Sequence, residues 1–227
     1  MSLILQIETA TTVCSVALSE NGNILAYKEI QQRNVHAEVI TLFIGEVLKM
    51  ANKQYSELSA VAVSCGPGSY TGLRIGISVT KGICYSLDIP FIAIETLEGM
   101  TDGMQSEIAT NNMLFCPMID ARRMEVFTAV FDADGNKMKS TSAEIIDQDS
   151  FSDLLKTNKI IFFGDGAAKC SEVLGANPNA QVIPDFQNSA LHLTKKATEK
   201  FHAKDFEDIA YFEPYYLKDF IAGNKSV

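Results

Sequence analysis

The chain has 227 residues, 47% of them hydrophobic and 21% charged, with a formal net charge of −9. That is an ordinary soluble globular composition, long enough for one large domain or two small ones with a real core. Its acidity argues against stand-alone nucleic-acid binding, where neutralisation of phosphate by lysine and arginine supplies most of the affinity, but not against work beside a basic partner. The five cysteines (Cys14, Cys65, Cys84, Cys116 and Cys170) are odd in number and lack C-x-x-C spacing. Buried free thiols in a reducing compartment are expected.

The opening "MSLILQIETA" has no basic segment ahead of its apolar run, which stops at Gln6 and Glu8. It reads as a strand rather than a signal peptide. No stretch approaches the ~18–20 apolar residues of a membrane span, so a cytoplasmic protein without membrane contact is expected.

Leu3–Ile30 reads as a strand, a tight link, a second strand, an Asn21-Gly22 turn and a third strand. Asn-Gly between β-rich runs is a strong hairpin signal. A helix from about His36 to Ala51, a strand at Ala60–Cys65, a helix from about Thr71 to Leu87 and a strand at Phe91–Ile94 come next. Phe115–Ile145 repeats the meander, with its turn at Asp134-Gly135. After it come a short helix near Phe151–Lys156, a strand at Lys159–Phe163, the turn Gly164-Asp165-Gly166 and a helix to Leu174. A short strand near Gln181–Ile183 and a helix at Ala190–Phe201 complete the pattern. Glu8 and Asp120 hold equivalent places, fourteen and fifteen residues before their turn glycines. The segment Leu97–Asn112, with Gly99, Gly103, Asn111 and Asn112, reads as a helix plus linker. The fold class is therefore α/β: two β-β-β-α-β-α lobes with mixed sheets, the layout of the duplicated actin-like (RNase H-like) fold. The expected lobes are residues 1–100 and 101–227.

The densest signal is "VSCGPGSYTGLRIG", Val63–Gly76. A Walker A loop needs G-x-x-x-x-G-K-[ST], and no lysine stands at the right place; Lys81 is too far along the helix. Gly66, Gly68 and Gly72 give G-x-G-x-x-x-G, one residue out of register with the dinucleotide fingerprint. A structural account is simpler. The strand ends at Cys65, Pro67 and Gly68 make the turn, and Ser69 or Thr71 caps the helix. Gly72 and Gly76 lie four apart and admit another backbone.

Both helices of the first half are apolar most of the way round, and one sheet buries only one face of each. The excess is buried within the chain or covers a partner interface of about 800 Å² per side. The candidate interface residues are Val39, Ile40, Phe43 and Val47 on the first helix and Leu73, Gly76, Val79 and Ile83 on the second.

The histidines His36, His192 and His202 form no i, i+3 or i+4 pair, so no metal site is expected. His36 is expected to mark the start of its helix or an interface contact. No G-x-S-x-G is present, so no catalytic residue is assigned. Glu8, Asp120, Arg122 and Asp165 are candidates for a nucleotide cleft: carboxylates at strand ends suit a magnesium-bound phosphate, and Arg122 with Arg123 is the best anion-binding pair. ATP or ADP with magnesium is the cofactor such a cleft would take.

The segments "ILQIETATTVCSVAL", "RNVHAEVI", "AVSCGPGSYTGLRIGISVTKG", "IDARRMEVFTAVF" and "YLK" together resemble the bacterial TsaB (YeaZ) family. The resemblance covers residues 3–131 well and thins afterwards; "GPGSYTGLRIG" is its most specific part. It implies a duplicated actin-like fold, with a C-terminal lobe truncated relative to catalytic relatives. It also implies a non-catalytic scaffold role in making the threonylcarbamoyl modification beside the anticodon of tRNAs reading ANN codons. The implied partners are a TsaD-like catalytic subunit and a TsaE-like ATPase, with tRNA met only through the complex and self-association through the same helix surface as a possible homodimer. This sequence carries Glu8 where many members have Asp, and Met124 where many have Gly. The alternative to a scaffold is a free-standing actin-fold kinase or ATPase using Mg-ATP.

Overall fold

A computed structural model describes residues 2–108 and 112–218 of the chain. The first half forms strands β1 (Leu3–Glu8), β2 (Val13–Glu20) and β3 (Asn23–Gln31), helix α1 (His36–Met50), strand β4 (Ala60–Gly66), helix α2 (Tyr70–Leu87), strand β5 (Phe91–Glu95) and helix α3 (Thr96–Glu107). The second forms β6 (Met113–Asp120), β7 (Glu125–Phe131), β8 (Lys137–Ile145), α4 (Ser152–Leu155), β9 (Lys159–Phe163), α5 (Ser171–Leu174), β10 (Ala180–Ile183) and α6 (Thr194–Ala203).

The repeat is a repeat of topology. One sheet runs β3-β2-β1-β4-β5 and the other, in the same sense, β8-β7-β6-β9-β10. In each, the meander is antiparallel and the last two strands are parallel to the first. The two sheets with their helices make a duplicated actin-like fold. Every residue of β1 is buried, as a central strand requires when helices cover both its faces.

Strand alternation then sorts the side chains into layers. Leu3, Leu5 and Ile7 face the core shared with Ile40, Ile44 and Val47 of α1 and Leu73 and Ile77 of α2. Ile4, on the opposite face, packs with Ala62, Ile92, Leu193 and Ala197. In the second sheet Cys116, Met118 and Phe162 meet Leu155 and Leu174, while Phe115, Ile119, Ile161 and Phe163 meet Leu97, Met100 and Met104 of α3. The order of layers is α1 and α2, first sheet, α3 and α6, second sheet, α4 and α5.

Residue 100, where the division is expected, lies inside α3, and helices of each half reach the other half's sheet. α3 packs on the second sheet, while the segment after β10 returns to the first. There Ser189 Oγ donates to Glu29 (2.7 Å) and the Ala190 N–H donates to Ser15 Oγ (3.0 Å). α3 approaches this segment closely, since a Cβ on Gly99 or Gly103 would run into Leu193 or His192. The linker expected after α3 includes Asn111, which lies outside the described residues. The single helix expected to reach Leu174 is a 3-10 turn, Ala168–Cys170, followed by the four residues of α5; the one expected from Ala190 begins as a 3-10 turn before α6.

Candidate functional site

The glycine-rich segment is filled by the chain itself. Gly66, rather than Gly68, has the positive φ of this turn, +122°, and the Tyr215 carbonyl lies where its Cβ would stand. Gly68 serves space rather than bend: a Cβ there would meet the Ala10 carbonyl. Ser69 caps α2, its Oγ accepting from the Gly72 N–H (3.2 Å), and its own N–H donates to Ala10 O (2.7 Å). Gly72 admits another backbone, the carbonyl of Thr9 on the link between β1 and β2, whereas Gly76 makes room for the Thr9 side-chain hydroxyl rather than for a backbone. The start of α2 thus grips that link, leaving no room there for a phosphate.

The outer face of α1 and α2 is different. Of the eight residues expected at an interface, Ile40, Phe43, Val47, Leu73 and Gly76 are buried against this chain's own sheet, which uses their apolar surface. Val39, Val79 and Ile83 are half-buried at the edge of that core, together with Ile75. Beyond them Leu42 is 62% and Tyr85 82% exposed. Gly45 and Gly82 sit mid-helix on this side, and a Cβ on either would meet nothing within 4 Å. Glycine inside a helix costs about 1 kcal/mol relative to alanine. Nothing in this chain requires these two, unlike Gly72 and Gly76. Sequence periodicity alone missed them, although helix-interior glycines are a legible signal.

The far flank of α2 is covered. The segment after α6 crosses it, with Lys81 Nζ donating to Phe212 O (2.8 Å), Arg74 Nε to Tyr216 Oη (3.1 Å), and the Tyr70 and Tyr216 rings tilted against each other at 4.7 Å.

The four cleft candidates do not converge. Glu8 is fully buried. Its Oε1 accepts from the Ala10 N–H (2.6 Å) and Ser64 Oγ (2.8 Å), while Oε2 has no hydrogen-bond partner. Burial pushes its carboxyl up to about 7; the Ala10 N–H, Ser64 and the nearby Asn188 amide pull it back only in part. Asn188 Nδ2 is itself buried without a partner in bonding geometry. Asp120, Arg122 and Asp165 gather at the other half's equivalent turn: Asp165 Oδ1 accepts from the Asp120 N–H (3.0 Å), Asp120 Oδ1 accepts from the Arg122 N–H (3.0 Å), and Lys169 pairs with Asp120. A cleft of about 140 Å³ separates the halves, lined by Thr11, Thr12 and Gln31 on one side and by Asp165, Phe186 and Asn188 on the other. Small-molecule sites occupy roughly 300–1,000 Å³. The segment 184–190 that narrows this cleft gave no sequence signal, because its role comes from returning to the first sheet.

The histidines are far apart in role. His36 is buried, and its Nε2 lies 3.1 and 3.2 Å from the carbonyls of Thr11 and Val13, so it ties the start of α1 to the β1–β2 link. His192 stacks on Phe186, and burial lowers its pKa to about 4. His202 is exposed on α6. Among the described residues no three His, Cys, Asp or Glu side chains converge as metal ligands. No helix among them is long and apolar enough to cross a membrane.

The geometry has close counterparts. The chain is 35% identical over 133 residues to the tRNA threonylcarbamoyladenosine biosynthesis protein TsaB of Escherichia coli, covering 59% of this chain and 56% of that protein. It is 33% identical over 124 residues to TsaB of Haemophilus influenzae, covering 55% and 51%. These matches span about half the length of the curated relatives. The solved structure of YeaZ from Pseudomonas aeruginosa superposes with a TM-score of 0.79 at 24% identity, covering 96% of this chain and all of the other, a likeness of fold. Residues 23–218 match the model of TsaD, tRNA N6-adenosine threonylcarbamoyltransferase. The chain therefore belongs to the tRNA N6-adenosine threonylcarbamoyltransferase family, with the TsaB/YeaZ proteins as its counterparts within it.

Proposed function

We propose that the chain is a non-catalytic subunit in tRNA threonylcarbamoyladenosine synthesis, docking a TsaD-type catalytic subunit on the outer face of α1 and α2. The carrying observation is the pair of mid-helix glycines, Gly45 and Gly82, open to solvent beside the half-buried Val39, Val79 and Ile83. Small residues flanked by apolar ones allow a partner's helices to approach closely and bury the exposed Leu42 and Tyr85. A second copy of the chain fits the same face when the partner is absent. A TsaE-type ATPase joins the assembly, and tRNA is met through the complex.

A free-standing Mg-ATP enzyme has less support. Glu8 is sealed from the cleft, the cleft is smaller than a nucleotide site, and the glycine loop is occupied by Thr9 and Ala10.

The test is co-purification with the TsaD-type protein of the same organism. Val79→Arg and Gly82→Arg each place a bulky cation on the face and are expected to weaken capture at least tenfold, while leaving the circular-dichroism melt near that of the parent. Met138→Ala, exposed on β8 of the second sheet, leaves capture unchanged. Undiminished capture by both arginine variants overturns this reading.

A further inference from the structure

We propose that the β6–β7 turn is a phosphate-binding site, formed by the guanidinium groups of Arg122 and Arg123 with the backbone N–H groups of Arg123 and Met124. The site is separate from the helix face of α1 and α2 and does not depend on what docks there.

Both arginines are exposed and both hold left-handed backbone, at φ +72° and +47°. Adjacent non-glycine residues in that region are unfavourable, and they persist here because the turn is fixed from several sides. The Arg122 N–H donates to Asp120 Oδ1 (3.0 Å), the Asp120 N–H to Asp165 Oδ1 (3.0 Å), the Glu125 N–H to Arg122 O (3.1 Å) and the Ala121 N–H to Glu125 O (3.1 Å). The backbone is thereby committed to presenting two consecutive cationic side chains.

Every acidic group beside the turn is already engaged. Asp120 pairs with Lys169, Glu125 pairs with Lys218, and Asp165 accepts from the Asp120 N–H. Among the described residues neither guanidinium has a hydrogen bond, an ion pair or an aromatic contact, and the N–H groups of Arg123 and Met124 donate to nothing in the chain. Arg74, by contrast, is held by Tyr216 and stacked on Tyr70. Two of the four arginines in an acidic chain therefore stand side by side without counter-charge, with Lys169 and Lys218 behind them.

Guanidinium forks and turn N–H groups are the donors that phosphate oxygens accept best. A carboxylate ligand would need only one fork. Two adjacent forks plus backbone donors match the several oxygens of a phosphate ester. The phosphate can come from an RNA backbone or from a free nucleotide, and the same donors serve both.

The test measures binding of three probes, a tRNA transcript, ATP and inorganic phosphate, to the full chain, alone and with the TsaD-type protein bound. At least one ester probe is expected to bind, weakening at least tenfold in the Arg122→Ala/Arg123→Ala double variant. Its salt dependence is expected to fall by about one unit of slope per arginine. Arg33→Ala, an exposed arginine elsewhere, leaves binding unchanged. The Arg122→Gly/Arg123→Gly variant suits the left-handed backbone while removing the side chains, so it loses binding with its fold intact. Binding of tRNA without ATP assigns the site to the RNA backbone, and the reverse assigns it to a nucleotide; either supports the proposal. Absence of binding for both ester probes, or binding that either double variant retains, overturns it.

Discussion

The two halves share a topology and treat the same turn in opposite ways. In the first, the link between β1 and β2 is clamped beneath an 18-residue helix whose glycines make room for it, and its carboxylate, Glu8, is sealed in. In the second, the equivalent helix is the four residues of α5, and the link between β6 and β7 is bare, with Asp120 and both arginines in solvent. Both halves keep a Gly-x-Gly turn after the fourth strand, Gly66-Pro67-Gly68 and Gly164-Asp165-Gly166, with the first glycine at positive φ in each. The halves part at the helix beyond that turn. A long α2 covers one copy of the motif; the short α5 leaves the other uncovered. Duplication has produced one clamped link and one open link from the same plan.

The largest expected break in this comparison is Glu8→Gln. The folded pKa of about 7 stands above the usual value of 4.5, so the folded state holds a proton that the unfolded state releases. That contribution is fully present below about pH 4.5 and is lost as pH rises to 7 and beyond, on the order of 3 kcal/mol in all. His192 has the opposite sign. Its folded pKa of about 4 lies below 6.5, so stability is lost as pH falls from 6.5 towards 4. The two slopes offset each other between pH 4.5 and 6.5. Urea titrations across pH 4–8 should therefore show a shallow profile for the parent. Glu8→Gln should expose the histidine's acid-side loss and gain about 3 kcal/mol at pH 8. Asp120→Asn at the equivalent exposed position should shift stability by about 0.5 kcal/mol, the scale of a surface ion pair. Equal effects at the two sites would mean that the halves do not differ as described.

Gly72→Ala comes next. Its Cβ would overlap the Thr9 carbonyl, and a backbone group cannot swing aside as a side chain can. A loss of about 2 kcal/mol, read from the shift in urea midpoint, is expected. At the bare turn the direction reverses: glycine at Arg122 relieves left-handed strain, so Arg122→Gly should be neutral or stabilising.

Much of the architecture was legible because both meanders carry Asn-Gly or Asp-Gly turns between β-rich runs, and because Glu8 and Asp120 mark equivalent strand ends. The resemblance carried by "GPGSYTGLRIG" pointed to the family that residues 23–218 match. The proposed interface was legible only as an excess of apolar surface. Periodicity could not separate Ile40, Phe43, Val47 and Leu73, which face the sheet, from Val39 and Val79 at its rim, since helices packed on several sides have no single polar stripe to set the phase. Glu8 looked like a cleft carboxylate because strand-end acids usually are exposed. Its burial depends on Asn188, 180 residues away in sequence, and on a helix crossover that no local pattern encodes.

A smaller effect than that of Gly72→Ala separates folding from docking most cleanly. Alanine at Gly82 adds a methyl group to open space and removes the backbone-entropy cost of glycine in a helix, so the isolated chain should gain about 1 kcal/mol. A larger residue such as leucine retains helix propensity and exposes only a few more carbons to solvent, so its melting temperature should also rise or hold. If Gly82 is present for a partner's approach, Gly82→Leu nevertheless weakens capture of the TsaD-type subunit while stabilising the chain. Stability and association then move in opposite directions, which a purely structural glycine cannot produce. Gly76→Leu provides the contrast: its Cβ meets Thr9 within the chain, so stability and association should fall together. Thermal melts and capture assays on the same preparations check both, and parallel changes at Gly82 would remove the case for the outer face as the docking surface.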